Sequence, residues 1–219
     1  MRNSRWILLA CTLVLFACAT QTYDTPPAAT GDMHSSTSMD NSRTALGKAM
    51  RDLWADHVVW TRNYIIAAAS DSPDAQAAAN RLLANQDQIG QAIVPYYGQA
   101  AGTKLSGLLR DHILIAVDLV AAAKANDQTK LGDADRRWHA NAADIATFLS
   151  DANPNWPREA VLSMMNEHLA LTTQEATARL KKDWNGDVAT FDKIFDQAMM
   201  MADALTDGIV KQFPDRFRS

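Results

Sequence analysis

Residues 53–58 read Leu-Trp-Ala-Asp-His-Val, and the same order of residue types returns as Leu-Leu-Arg-Asp-His-Ile at 108–113 and Met-Met-Asn-Glu-His-Leu at 164–169. Each copy has two apolar residues, a variable residue, an acid, a histidine and an apolar residue. The histidines are His57, His112 and His168, at spacings of 55 and 56 residues. A fixed period of this kind marks a repeated supersecondary unit. The sequence therefore predicts a helical hairpin that occurs three times.

The residues around these copies have helical periodicity. Apolar side chains recur every three or four positions from residue 44 onward, and no stretch alternates apolar and polar residues as a half-buried strand does. The predicted fold class is all-α, a helical bundle of about six helices arranged as three repeated hairpins. Proline, glycine and capping residues mark the helix ends. They predict helices near 43–70, 73–94, 99–125, 128–151, 157–182 and 186–212.

The three histidines lie on the apolar stripes of their helices. Their neighbours at three and four positions are mostly apolar, so all three rings are predicted to face the core. If the rings converge, His57, His112 and His168 are candidate ligands for a transition metal ion, Zn or Cu, because neutral imidazole binds both. Alternatively, each ring is a buried hydrogen-bonding group that the repeat has copied three times.

Polar residues accompany each histidine. An acid precedes each one, and a polar residue returns 28 or 29 positions later on the following helix. These residues could orient the rings, or the acids could act as general bases in a hydrolytic metal site. The candidates are Asp56, Asp111, Glu167, Asn85, Asn141 and Asp196. The sequence contains no motif of a di-iron bundle, zinc protease, nucleotide-binding loop or serine hydrolase, so no catalytic residue is predicted and an enzyme is the less favoured interpretation.

The N-terminus is organised like an export signal. Arg2 and Arg5 precede an apolar run of eleven residues at 7–17, which is shorter than a membrane-spanning helix requires. The run ends in Leu15-Phe16-Ala17-Cys18, which resembles the lipobox of bacterial lipoproteins. That resemblance implies cleavage before Cys18 and acylation of this cysteine, palmitate included.

The predicted organisation has three segments. They are a signal peptide at 1–17, the acylated cysteine with a flexible tether at 18–43, and the all-α domain at 44–219. The lipid at Cys18 would anchor the exported protein to a membrane. In a Gram-negative cell, the absence of Asp after Cys18 resembles a signal for the periplasmic side of the outer membrane. Nucleic acid is an unlikely partner, because 21 Lys+Arg against 25 Asp+Glu leave a net charge of −4 and no basic cluster.

Aromatic residues lie beside prolines at the ends of the even-numbered predicted helices. If the repeat is correct, these residues meet at one end of the bundle. There they would form a surface for a protein partner or close the core. The residues are Tyr96, Tyr97, Trp156, Phe213 and Phe217.

Five stretches carry a wider similarity. They are Leu53-Trp54 through Trp60-Thr61-Arg62, Asn85-Gln86 through Pro95-Tyr96-Tyr97-Gly98, Asn153 to Trp156, His168 to Thr173 with Glu175, and Gly208-Ile209 through Pro214. Together they resemble a family of exported or anchored bacterial helical proteins with no established activity. The resemblance spans most of residues 50–217 and implies one folded unit. It implies no substrate, cofactor or catalytic residue.

Overall fold

The computed structural model describes residues 33–218, which form α-helices and no strand. This confirms the predicted all-α class. The elements are α1 (Met33–Ala69), α2 (Ala75–Lys124), α3 (Gln128–Ala152), α4 (Arg158–Leu180), α5 (Trp184–Gln212) and a short 3-10 helix (Pro214–Arg216). The predicted signal peptide, Cys18 and the first part of the predicted tether lie outside the described residues. None of the helices in this part of the chain has an apolar stretch long enough to cross a membrane.

The structure divides residues 33–218 into five α-helical elements, against the prediction of about six helices. The difference lies in α2, which joins the segments predicted as separate helices at 73–94 and 99–125 across a kink at the non-helical residue Gly98. Gly98 has φ 83° and ψ 167°, a conformation that glycine adopts without a steric penalty because it has no Cβ. Pro95 lies inside the same helix. Proline and glycine therefore mark a bend in α2 where the sequence predicted a gap.

The two arms of α2 on either side of Gly98 pack against each other. A Cβ atom on Gly90 would lie 2.6 Å from the carbonyl oxygen of Gly102, and a Cβ atom on Gly102 would lie 2.7 Å from that of Gly90. Arg110 on the second arm donates to Asp87 on the first at 2.9 Å. The arms can approach this closely because both positions are glycine.

Three helix ends share one geometry, and they follow the period of the histidines. The residues Asp71, Asn126 and Lys182, each fourteen positions after a histidine, have φ values of 54°, 53° and 61°. The next backbone N–H in each case donates to a carbonyl five residues earlier, a Schellman-type helix end. These bonds join Ser72 to Ala67 at 2.9 Å, Asp127 to Ala122 at 3.0 Å and Asp183 to Ala178 at 2.9 Å.

The helices form a ring in which each packs against its neighbours in chain order, and α5 packs against α1. The largest apolar cluster draws buried side chains from all five helices, including Trp54 and Trp138, and Trp156 from the loop between α3 and α4. A Cβ atom on Gly208 would overlap the Trp156 indole, so this glycine makes room for the ring. The histidines lie inside this ring of helices.

Candidate functional site

The structure brings the three repeated histidines to one cavity. His57 on α1, His112 on α2 and His168 on α4 are 4%, 3% and 3% exposed. The ring centroids of His57 and His168 are 5.5 Å apart. All three side chains line a cavity of about 20 Å³, which is room for about one water molecule. We call this space the histidine cavity.

An amide from the following helix holds the His112 ring. Nδ1 of His112 donates to Oδ1 of Asn141 at 2.8 Å, and Nδ2 of Asn141 donates to the Leu108 carbonyl at 3.0 Å. Leu108 is one helical turn before His112, so the amide bridges the ring and the backbone of one helix. With the proton on Nδ1, Nε2 of His112 keeps its lone pair. The third copy has the same bridge, with distances of 3.2 and 2.9 Å, through His168, Gln197 and Met164.

The first copy divides this role between two amides. Gln86 places Nε2 at 3.2 Å from Nδ1 of His57 and donates from the same nitrogen to the Leu82 carbonyl at 2.9 Å. Nδ2 of Asn85 donates to the Leu53 carbonyl at 3.0 Å, one turn before His57. Nε2 of Gln86 also lies 3.1 Å from Oδ1 of Asn85, so three neighbours share its two hydrogens.

The histidines are neutral at physiological pH. Burial lowers the pKa of His57 well below its usual value, and the nearby His168 and His112 rings lower it further. Burial, with a contribution from His168, lowers the pKa of His112 to about 3, although the hydrogen bond to Asn141 acts in the opposite direction. Burial also lowers the pKa of His168. Neutral imidazole is the form that binds a metal ion.

Two further polar groups line the histidine cavity. Oγ1 of Thr172 and Nε1 of Trp138 are buried without a hydrogen-bond partner, and both residues line the cavity. The Trp138 ring lies 5.2 Å from the His112 ring between centroids. A buried polar atom without a partner is costly, commonly by about 1–3 kcal/mol. These atoms are therefore available to a small polar species in the cavity.

No ready-made coordination shell surrounds the cavity. Across residues 33–218, no group of three or more His, Cys, Asp or Glu side chains is arranged to hold a metal ion. A Zn ion shared by the three histidines would need one nitrogen of each ring within about 2.0–2.1 Å.

The residues predicted to support the histidines fall into two groups. Asn141 forms the amide bridge to His112, and Asn85 donates to the Leu53 carbonyl one turn before His57. Asp196 is exposed, and its neighbour Gln197 holds His168 instead. Gln197 and Gln86 were missed, although a uniform spacing of 29 residues after each histidine identifies Gln86, Asn141 and Gln197.

The acids that precede the histidines do not line the cavity. Asp56 is half-buried and forms an ion pair with Arg81 at 2.5 Å, whereas Asp111 and Glu167 are exposed. One residue along a helix is a rotation of about 100°, which carries each acid away from the inward face. None of these three acids is therefore placed to act as a general base in the cavity.

A buried ion cluster, which the sequence analysis did not predict, lies close to the histidine cavity. Arg62 donates to Glu175 at 2.5 Å and to Asp187 at 2.7 Å, and Arg179 contacts Asp187 at 3.2 Å. Burial raises the pKa of Glu175 to about 7 against the lowering effect of Arg62. The cluster joins α1, α4 and α5. Two residues next to the cluster line the histidine cavity: Thr61, which precedes Arg62, and Ala176, which follows Glu175.

The aromatic residues predicted at one end of the bundle do meet there. Tyr97 lies 5.7 Å from Trp156 and 5.3 Å from Phe213 between ring centroids, and Tyr96 lies 5.8 Å from Phe213. The Tyr97 hydroxyl donates to Gln212 at 2.7 Å. Trp156 is buried, and the other three are half-buried. These rings pack mainly against one another.

Comparison with known proteins adds no functional assignment. No protein-family model, no curated protein and no solved structure matches the chain.

Proposed function

We propose that the protein is a membrane-anchored extracytoplasmic binding module that takes a transition metal ion, Zn or Cu, in the histidine cavity. The observation that carries this proposal is the convergence of three buried, neutral imidazoles on one small cavity. Their amide partners support it, because metal-bound histidines usually donate their second ring N–H to a fixed acceptor. His112 and His168 already have this arrangement.

The anchor belongs to the same proposal. A lipid on Cys18 would hold the domain at a membrane surface outside the cytoplasm, on the periplasmic side of the outer membrane in a Gram-negative cell. The resemblance to exported helical proteins is consistent with this location. A unit of two helical arms, repeated three times, accounts for the position of one histidine per unit, and the three Schellman-type ends support that architecture.

Metal analysis tests the proposal. The full chain, with Cys11 and Cys18 replaced by Ser to remove thiols, is purified in detergent, exposed to Zn or Cu and desalted. Inductively coupled plasma mass spectrometry should find about one equivalent of metal. The variant His112→Gln should lose it, whereas His139→Gln should keep it, because His139 is exposed and lies outside the cavity.

Circular dichroism shows whether each variant is folded. A folded parent protein that takes up no metal contradicts the proposal, and so does a His112→Gln variant that retains as much metal as the parent.

A structural or protein-interaction module is the second candidate. The observation that favours it is the absence, among the described residues, of a group arranged to hold a metal ion. In this case the amide bridges serve only to satisfy the buried rings, and the half-buried edges of Tyr96, Tyr97 and Phe213 are the available partner surface. A metal-free parent whose stability still falls on His112→Gln substitution would support this candidate.

A further inference from the structure

A second cavity lies next to the histidine cavity and is lined by methionines. It has a volume of about 30 Å³, and its lining residues are all apolar. Several of them are one helical turn before a histidine, such as Trp54 before His57 and Leu109 before His112. Its methionines are Met50 from α1, Met164 and Met165 from α4, and Met201 from α5. We call this space the methionine chamber.

The concentration of methionine here is unusual for the domain. Residues 41–218 contain six methionines, and four of them line this one cavity. Met50, Met165 and Met201 are 2%, 3% and 4% exposed. Methionine commonly fills irregular gaps because its side chain is flexible. In this chamber, however, four methionines surround a space that remains open.

The lining chemistry selects one class of ligand. The chamber offers thioether sulfurs and no carboxylate, imidazole or hydroxyl group. Soft thioether ligands suit Cu(I), whereas Mg, Ca and Mn require oxygen ligands. The cost of burying an ion in an apolar space also favours a single charge over a double one.

We propose that the methionine chamber binds a soft monovalent ion, Cu(I), through the thioether sulfurs of Met50, Met165 and Met201. This site goes beyond the histidine cavity and does not depend on it, because the two cavities have no lining residue in common. Met164 is half-buried on the same lining and is a fourth possible ligand.

Silver titration tests the site directly, because Ag(I) has the charge and closed d shell of Cu(I) and needs no reductant. The full chain with Cys11→Ser and Cys18→Ser is titrated with Ag(I) in detergent and chloride-free buffer by calorimetry. The chamber variant is Met165→Leu with Met201→Leu, since leucine has a similar volume and is well tolerated in cores. The matched control is Met199→Leu with Met200→Leu, two methionines that do not line the chamber; Met200 is 58% exposed.

The chamber variant should bind Ag(I) at least tenfold more weakly than the parent, whereas the control should stay within twofold. In spectra of protein labelled with carbon-13 at the methionine methyls, Ag(I) should shift the signals of Met50, Met165 and Met201. A parent that binds no Ag(I), a chamber variant that binds as tightly as the parent, or an equal loss in both variants overturns the proposal. The His112→Gln variant should still show the methyl shifts, so the two metal proposals can fail separately.

Discussion

At the scale of single residues, we expect the amide bridge between His112 and Asn141 to stabilise the folded protein. Asn141→Ala leaves the buried Nδ1–H of His112 without an acceptor, which should lower the free energy of unfolding by about 2 kcal/mol or more. Asn166→Ala is the matched control, because Asn166 makes the same contact with Nδ1 of His139 at the surface. That substitution should change stability by less than about 0.5 kcal/mol. Urea denaturation measures both values, and equal effects would contradict the role assigned to the bridge.

We expect the titration of Glu175 to make the stability of the protein depend on pH. Its pKa in the folded protein is raised from 4.5 to about 7 by burial, so the folded protein binds more protons than the unfolded chain between these values. Stability should therefore fall as pH rises through this window. Glu175→Gln removes the titrating group and keeps an oxygen that can accept from Arg62, so its melting temperature should depend less on pH. Thermal melts across this pH range check the prediction.

The control for this pH effect is Glu159→Gln. Glu159 is an exposed carboxylate whose only ion pair with another described residue is with the neighbouring Arg158, so its removal should leave the pH profile unchanged. Profiles of the Glu175→Gln variant and the parent that run parallel from pH 4.5 to 7 would show that Glu175 is not the group responsible.

The sequence predicted the inward position of the three histidines because their neighbours have clear helical periodicity. It did not predict which side chains hold them. Asp196 was selected where Gln197 is the partner, since one position along a helix changes the direction of a side chain by about 100°. The Arg62 and Glu175 pair was also missed. Those residues are 113 positions apart, and no local pattern links them.

At the scale of an element, α2 depends on glycine at the contact between its arms. Gly102→Ala would place a Cβ atom 2.7 Å from the Gly90 carbonyl oxygen, so the backbone of the two arms must move apart. We expect a loss of about 2 kcal/mol or more. Gly107→Ala, on the same arm, has no atom within 4 Å of the new Cβ and should raise stability by about 0.5–1 kcal/mol through helix propensity. Denaturant unfolding distinguishes these results, and a stabilising Gly102→Ala would contradict the close packing.

The end of α4 offers a stabilising substitution. Lys182 is exposed and has φ 61°, a conformation that is unfavourable for a residue with a Cβ atom. Lys182→Gly should raise the free energy of unfolding by about 0.5–1 kcal/mol. Asn126 has nearly the same φ at the end of α2, but asparagine tolerates this region, so Asn126→Gly should have a smaller effect. Thermal unfolding measures both, and a larger gain at Asn126 would contradict the explanation.

The difference between the predicted helices and α2 has a local cause. Pro95 and Gly98 were interpreted as the end of one helix and a gap before the next. In the structure Gly98 is not helical, and the helical segments on its two sides meet at a kink within α2. Proline and glycine predict that the helix is interrupted, but the angle of the bend depends on the contact between Gly90 and Gly102, which periodicity does not reveal.

At the scale of the whole molecule, the threefold pattern links sequence and architecture. Histidines, amide bridges and Schellman-type ends recur at matching positions in each third of the domain. The ring of helices brings these equivalent positions together, so three short motifs that are far apart in sequence produce one shared cavity. The clearest departure from this symmetry is the first copy, where Asn85 and Gln86 divide between them the contacts that a single amide makes in the other two.

The anchor is the last feature to be tested on the whole protein, and the chain supplies its own control. Cys18 follows the lipobox-like residues 15–17, while Cys11 lies inside the apolar run at 7–17. If Cys18 carries the acyl chains, Cys18→Ser should abolish palmitate incorporation and release the protein from bacterial membranes, because stable attachment needs more than one chain. Cys11→Ser should retain both labelling and membrane association. Radiolabelled palmitate and membrane fractionation measure these outcomes, and labelling that survives Cys18→Ser but disappears with Cys11→Ser would transfer the anchor to Cys11.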